Sequence, residues 1–200
     1  VPCRVVNINT EKPGKAIVLL WLHGGVHDYK KHDFFSFNHL DCVDADERIL
    51  EYLKDSGTKA IALFPVCHKS NNPKTVAWRD CYDDVEHIIN DYINKGLVDK
   101  KRIYVTGSSD GGVGTWDYAE KHPEMFAAAI SMSCSSPRKV DIPIYFFNTR
   151  SEKDCTDKVK ELKKKGVKVK YKYCPQYKHG GDAAECTPEL LKEFFSIKKK

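Results

Sequence analysis

Apolar residues in this chain fall into short runs separated by polar segments marked with glycine and proline. Ala16-Ile-Val-Leu-Leu-Trp-Leu22, Ala60-Ile-Ala-Leu-Phe64, the run from Arg102 to Thr106, Phe126-Ala-Ala-Ala-Ile-Ser-Met132 and Ile142-Pro-Ile-Tyr-Phe-Phe147 show almost no polar alternation. A strand covered on both faces needs none, so each run predicts a buried central strand. Val5 to Ile8 predicts a short edge strand. Val167-Lys-Val-Lys-Tyr-Lys-Tyr173 alternates cleanly, which predicts the last, half-exposed strand. The segments between show the other periodicity. Asp44–Lys54, Asp80–Lys95, Thr115–Lys121, Asp157–Lys165 and Pro188–Ile197 read as helices. Val85, Ile88, Ile89, Tyr92 and Ile93 share one face of the second, and Gly57, Gly96 and Gly166 stand where helices should stop.

Strands alternating with helices over short connections predict an α/β fold, with a mainly parallel central sheet and helices on both faces. The chain has 200 residues, enough for one domain and short for two, so residues 1–200 read as a single domain with no cap. In such sheets sites form beyond the C-terminal ends of the strands. The chain's unusual residues fall there: His23-Gly24-Gly25, Gly107-Ser-Ser-Asp-Gly111, Asn148 to Asp154, and His179-Gly180-Gly181.

Composition narrows the picture. Hydrophobic residues make up 41% and charged residues 30%, which suits a soluble globular protein, and no apolar run reaches the ~20 residues of a membrane span. The net charge of +5 is carried by lysines spread over a helix end, a strand and a tail, without interleaved aromatic platforms, so no nucleic-acid or membrane partner is expected. Eight cysteines with no C-x-x-C pair exclude zinc-knuckle spacing and permit disulfides. Val1 opens the chain without a signal-peptide pattern, as in a trimmed or mature form. Together these lean toward an oxidising, secreted setting, with a cytoplasmic one as the alternative.

The chemistry begins at Gly107-Ser108-Ser109-Asp110-Gly111, a G-x-S-x-G match between a predicted strand and a predicted helix. A serine on such a turn points its hydroxyl out of the sheet, and glycines two before and two after keep side chains out of the bend. The following helix turns its N-terminal N–H groups toward whatever the serine attacks. A serine nucleophile needs a base, and the base needs an acid to hold its tautomer. His179, in a Gly-Gly loop between the last strand and the last helix, is the candidate base. Glu152, Asp154 and Asp157 are the candidate acids. Asp157 is discounted because it falls inside a predicted helix. Glu152 and Asp154 remain open, Asp154 having a second use as a helix cap. An oxyanion hole needs two N–H donors. One is expected from Asp110, with its carboxylate turned away. The other is expected from Gly24 or Gly25, with the His23 side chain packing beneath that loop. His27, Asp28, His32, Asp33 and His39 have irregular spacing and read as a solvated loop rather than a metal site. Trp21, Trp78 and Trp116 read as core or pocket wall.

Leu22-His-Gly-Gly25, Gly107-Ser-Ser-Asp-Gly-Gly-Val-Gly-Thr-Trp116, His122-Pro-Glu-Met-Phe-Ala-Ala-Ala129 and His179 before Pro188-Glu-Leu-Leu191 together resemble the α/β-hydrolase superfamily. Within it they are similar to the prolyl-oligopeptidase-like and polyhydroxybutyrate-depolymerase- or feruloyl-esterase-like serine esterases. The resemblance implies Ser109 as nucleophile, His179 as base, and oxyanion donors at Asp110 and near Gly24-Gly25. At the acid the chain departs from the family's His-Gly-x-x-Asp: Asn148-Thr-Arg-Ser-Glu-Lys-Asp154 aligns Glu152 by spacing and offers Asp154 by residue type, in a shortened loop. The expected function is hydrolysis of a carboxylic ester, with polysaccharide- or polymer-linked esters among the candidate substrates, at an open site, without cofactor or metal, by a monomer or small homo-oligomer. A peptidase or thioesterase of the same fold, and an inactive binding protein, are the alternatives.

Overall fold

The structure is a computed structural model that describes residues 1–25, 43–67 and 77–199, the side chains of Val43 and Asp44 excepted. In chain order the strands are β1 (Cys3–Ile8), β2 (Ala16–Leu22), β3 (Ala60–Pro65), β4 (Val98–Ser108), β5 (Ala128–Met132), β6 (Ile144–Thr149) and β7 (Val169–Cys174). They form one sheet in the order β1-β3-β2-β4-β5-β6-β7. Only β1 runs antiparallel, against β3, and every other described pairing is parallel. The helices are α1 (Val43–Asp55), α2 (Tyr82–Asn94), α3 (Asp110–Lys121), α4 (Thr156–Lys164) and α5 (Pro188–Ser196).

Unbroken apolar runs became strands because both faces are covered. Val18, Leu20 and Leu22 of β2 pack with α2, α3 and α4 residues such as Val85, Trp116 and Val159. Ile17, Leu19 and Trp21 of the same strand pack on the opposite face with Ile49 and Leu53 of α1 and Leu191 and Phe194 of α5. Pleating sends alternate side chains to opposite sides, so one apolar strand seeds two cores. The alternating lysines of β7 lie at the sheet's edge, where its burial pattern is mixed. Trp21, Trp78 and Trp116 are all buried.

Most predicted boundaries moved by one or two residues, and two starts moved by four or more. β4 begins at Val98 rather than Arg102, because its first residue pairs with Ala16 before a register shift in β2. α3 begins at Asp110 rather than Thr115. Its glycine-rich first turn carries no apolar periodicity, and tertiary contact rather than pattern makes it helical. The seven described cysteines are all free thiols, Cys42 lying outside the described residues. No helix among the described residues is long and apolar enough to cross a membrane.

Candidate active site

The elbow is built by close backbone packing. Ser109 follows β4 with φ 58° and ψ −123°, a strained region for a side-chain-bearing residue, and α3 starts at the next residue. A Cβ on Gly107 would lie 2.5 Å from the Gly111 carbonyl oxygen, and one on Gly111 would lie 1.9 Å from that of Leu22. Only glycine permits α3 to press its first turn onto the end of β2. The result puts Gly111, the residue after Asp110, against the Leu22 and His23 carbonyls at the start of the His23-Gly24-Gly25 segment. Asp110 itself is half-buried and lines a groove of about 320 Å3 with Trp78, Arg79, Val113 and Asp117.

His23 lies under its loop. The Cys67 N–H donates to His23 Nε2 at 3.1 Å. Nε2 is therefore unprotonated, so Nδ1–H donates to the Gly24 carbonyl at 2.7 Å. Trp78 Nε1 donates to the His23 carbonyl at 3.0 Å, and the two rings meet edge to face with centroids 4.8 Å apart. The ring is a structural strut that fixes the orientation of the Gly24 peptide.

The structure brings Glu152, not Asp154, to His179. His179 Nδ1 and Glu152 Oε1 are 2.5 Å apart. The other carboxylate oxygen, Oε2, accepts from the Thr149 N–H at 2.9 Å and the Thr149 hydroxyl at 2.7 Å. The Glu152 side chain is 8% exposed, whereas that of His179 is 47% exposed. One carboxylate is thus shielded and saturated, while the imidazole keeps an accessible edge. Asp154 faces elsewhere. Its Oδ1 accepts from the Thr156 N–H and hydroxyl and from Tyr171 at the entrance of α4. The Thr156 hydroxyl and N–H hold its carboxyl below the usual range. Asp157 lies within α4, pointing to solvent.

Two residues at the end of β5 join the halves of the site. The Ser109 N–H donates to the Met132 carbonyl at 3.0 Å. The next residue, Ser133, accepts the Gly180 N–H on its hydroxyl at 2.8 Å. Its own N–H and hydroxyl donate to the two oxygens of Asp182, both at 2.7 Å. The His179 N–H donates to Ser151 Oγ at 2.9 Å. Ser133, Ser151 and Asp182 carried no signal in the sequence: each sits in a polar loop that reads as solvated, and only the sheet order draws the loops together.

The stretch containing His27, Asp28, His32, Asp33 and His39 lies outside the described residues, as do residues 68–76.

Comparison with known proteins places this geometry. Residues 73–136, which contain the elbow, match the prolyl oligopeptidase family. Among solved structures the chain is similar to a thermostable esterase, with a TM-score of 0.73 and 24% identity over 99% of this chain and 59% of that one. The chain therefore spans less than two thirds of that esterase. It is also similar to the Bacillus cereus carboxylesterase (TM-score 0.63, 14% identity, 96% of this chain and 95% of the other). A ferulic acid esterase is related to the same degree (TM-score 0.63, 14% identity, 96% and 98%). A search of curated protein sequences gives no match.

Proposed function

Starting from the α/β-hydrolase fold that this chain adopts, we propose that it is a serine esterase that works through an acyl-enzyme. Ser109 Oγ attacks the carbonyl carbon of a carboxylic ester, and His179 Nε2 takes its proton. Glu152 holds the imidazole by Nδ1 and stabilises the imidazolium that forms. The tetrahedral oxyanion sits between the N–H groups of Asp110 and the Gly24-Gly25 segment. Collapse breaks the ester C–O bond, and His179 returns the proton to the leaving alcohol. Water, deprotonated by His179, then attacks the acyl carbon, and Ser109 leaves with the proton. No step calls for a metal or cofactor.

One observation carries the reading: the 2.5 Å His179–Glu152 contact lies in a loop tied through Met132-Ser133 to a serine at φ 58°. A strained serine at a strand-to-helix elbow, tied through the backbone to the loop of a carboxylate-paired histidine, supports nucleophilic acyl transfer. The names of the structural neighbours favour an ester. The half-exposed histidine favours a bulky acyl or alcohol group, such as a polymer-linked ester. The match to the prolyl oligopeptidase family favours a peptide instead as a second reading. Short acyl, feruloyl and acetyl-sugar esters assayed beside a peptide amide separate the two. Ser109→Ala is expected to abolish turnover with the fold intact, and a fluorophosphonate is expected to label Ser109. A folded wild-type chain that stays unlabelled and inactive on every ester is instead a binding protein on a hydrolase fold.

A further inference from the structure

Ser133 and Asp182 are buried polar residues that take no part in the acyl transfer described above. Ser133 is 2% exposed and Asp182 not at all. Ser133 also has φ 49°, which a serine adopts only when its surroundings enforce it. The enforcing group is the Asp182 carboxylate. Asp182 grips both donors of Ser133, and the Ser133 N–H is shared with the Phe147 carbonyl at 3.0 Å. With its proton committed to Asp182, the Ser133 hydroxyl presents a lone pair to the Gly180 N–H.

We propose that Asp182, acting through Ser133, is a positioning residue that sets His179 against Ser109. The inference rests on the serine-esterase reading. The bonds form a closed path. Ser109 N–H is fixed to Met132. Ser133 follows Met132 and fixes Gly180. Gly180 follows His179. Asp182 fixes Ser133 and lies only three residues after the base. Nucleophile and base are therefore registered through a two-residue corner at the end of β5, rather than through the Glu152 contact alone. Glu152 sets the rotation of the ring; the corner sets where the ring stands. Burial pushes the Asp182 carboxyl up to about 6, opposed by its two Ser133 bonds and assisted by the nearby Glu152 charge. A carboxylate kept buried at that cost, serving one serine in a left-handed conformation, is accounted for by what that serine holds.

The test compares Asp182→Ala, Asp182→Asn and Ser133→Gly with the wild type on one activated ester. Glycine is favoured at φ 49°, so Ser133→Gly keeps the backbone and removes only the hydroxyl tie; it tests the proposal even if an Asp182 variant fails to fold. The expected result is a kcat lower by about 10- to 100-fold with KM changed by less than about threefold, since a displacement of about 1 Å from the reactive geometry costs on that order. Asp182→Asn, which keeps the shape and one acceptor, should recover part of the loss. Ser133→Gly combined with Asp182→Asn should cost no more than the worse single change, because both cut one path. The downfield Nδ1–H proton of His179 should persist in all of them, because Glu152 is untouched. Wild-type kcat in folded Ser133→Gly overturns the proposal, as does loss of that proton signal, which would place the damage at Glu152. If Ser109→Ala retains turnover, the serine-esterase reading fails first; if Ser109→Ala is dead and the corner variants are fully active, only the positioning role fails.

Discussion

Glu152 and Asp154 flank Lys153 in one loop, yet their carboxylates do different work. Glu152 turns inward to Thr149 and His179, while Asp154 turns to Thr156 and Tyr171. Residue type favoured aspartate and spacing favoured glutamate; the extra methylene of Glu152 lets it reach His179 from a loop too short for the usual approach. Glu152→Gln is expected to lower kcat by about 10²- to 10⁴-fold, because the amide no longer fixes the productive tautomer. Asp154→Asn is expected to leave kcat within about twofold and to cost at most about 1 kcal/mol of stability, as loss of a helix-entrance acceptor does. Steady-state kinetics and urea melts of the two variants decide this; equal small losses in kcat would remove both from the site. At this scale the proposed nucleophile and base stood out in the sequence. Serine between glycines, and histidine beside glycines after the last strand, are constrained by local backbone. The helpers were not. Asp182 lies in a stretch of small and polar residues, and nothing local says that it is wholly buried.

The elements were legible where periodicity is set by burial. β2 and β3 could be read as central because nothing polar interrupts them, and β7 as an edge because lysine alternates through it. α3 is the exception. Its first turn is Asp110-Gly-Gly-Val-Gly114, poor helix-forming material. It is helical because those glycines dock on the Leu22 carbonyl, the Met132 carbonyl and the Trp78 ring. Gly111→Ala should therefore act through packing rather than helix propensity. Alanine would raise propensity by about 1 kcal/mol in an exposed helix, but here its Cβ would overlap the Leu22 carbonyl. The expected outcome is a loss of more than about 3 kcal/mol, or failure to fold, in urea denaturation. A variant of wild-type stability would mean that the elbow is not held by this contact.

Among the described residues two buried aspartates, Asp46 and Asp182, have carboxyls raised by burial, which makes stability depend on pH. Burial pushes Asp46 of α1 up to about 7 and Asp182 up to about 6. Asp46 Oδ1 has no hydrogen-bond partner among the described residues. In the unfolded chain both titrate near 4. A raised carboxyl contributes stability that is full below the unfolded value and is lost as pH rises through the folded one. The urea midpoint should thus fall between about pH 4 and pH 7, and Asp46→Asn should remove much of that slope, gaining on the order of 1–3 kcal/mol over the wild type at about pH 8. Parallel pH profiles for variant and wild type would show that Asp46 is not buried as an acid.

Sequence by itself determined the architecture and pointed to Ser109 and His179 as the proposed nucleophile and base. Strand burial, helix faces and the glycine punctuation around Ser109 and His179 are local consequences of side-chain size, polarity and backbone freedom. Tertiary structure alone decided that Glu152 rather than Asp154 meets His179, why a glycine turn is helical, and that Ser133 and Asp182 tie the end of β5 to Gly180. Those outcomes depend on the order β4-β5-β6-β7, which brings four strand ends together. Adjacency across a sheet is set by the packing of the whole chain, and no window of sequence contains it.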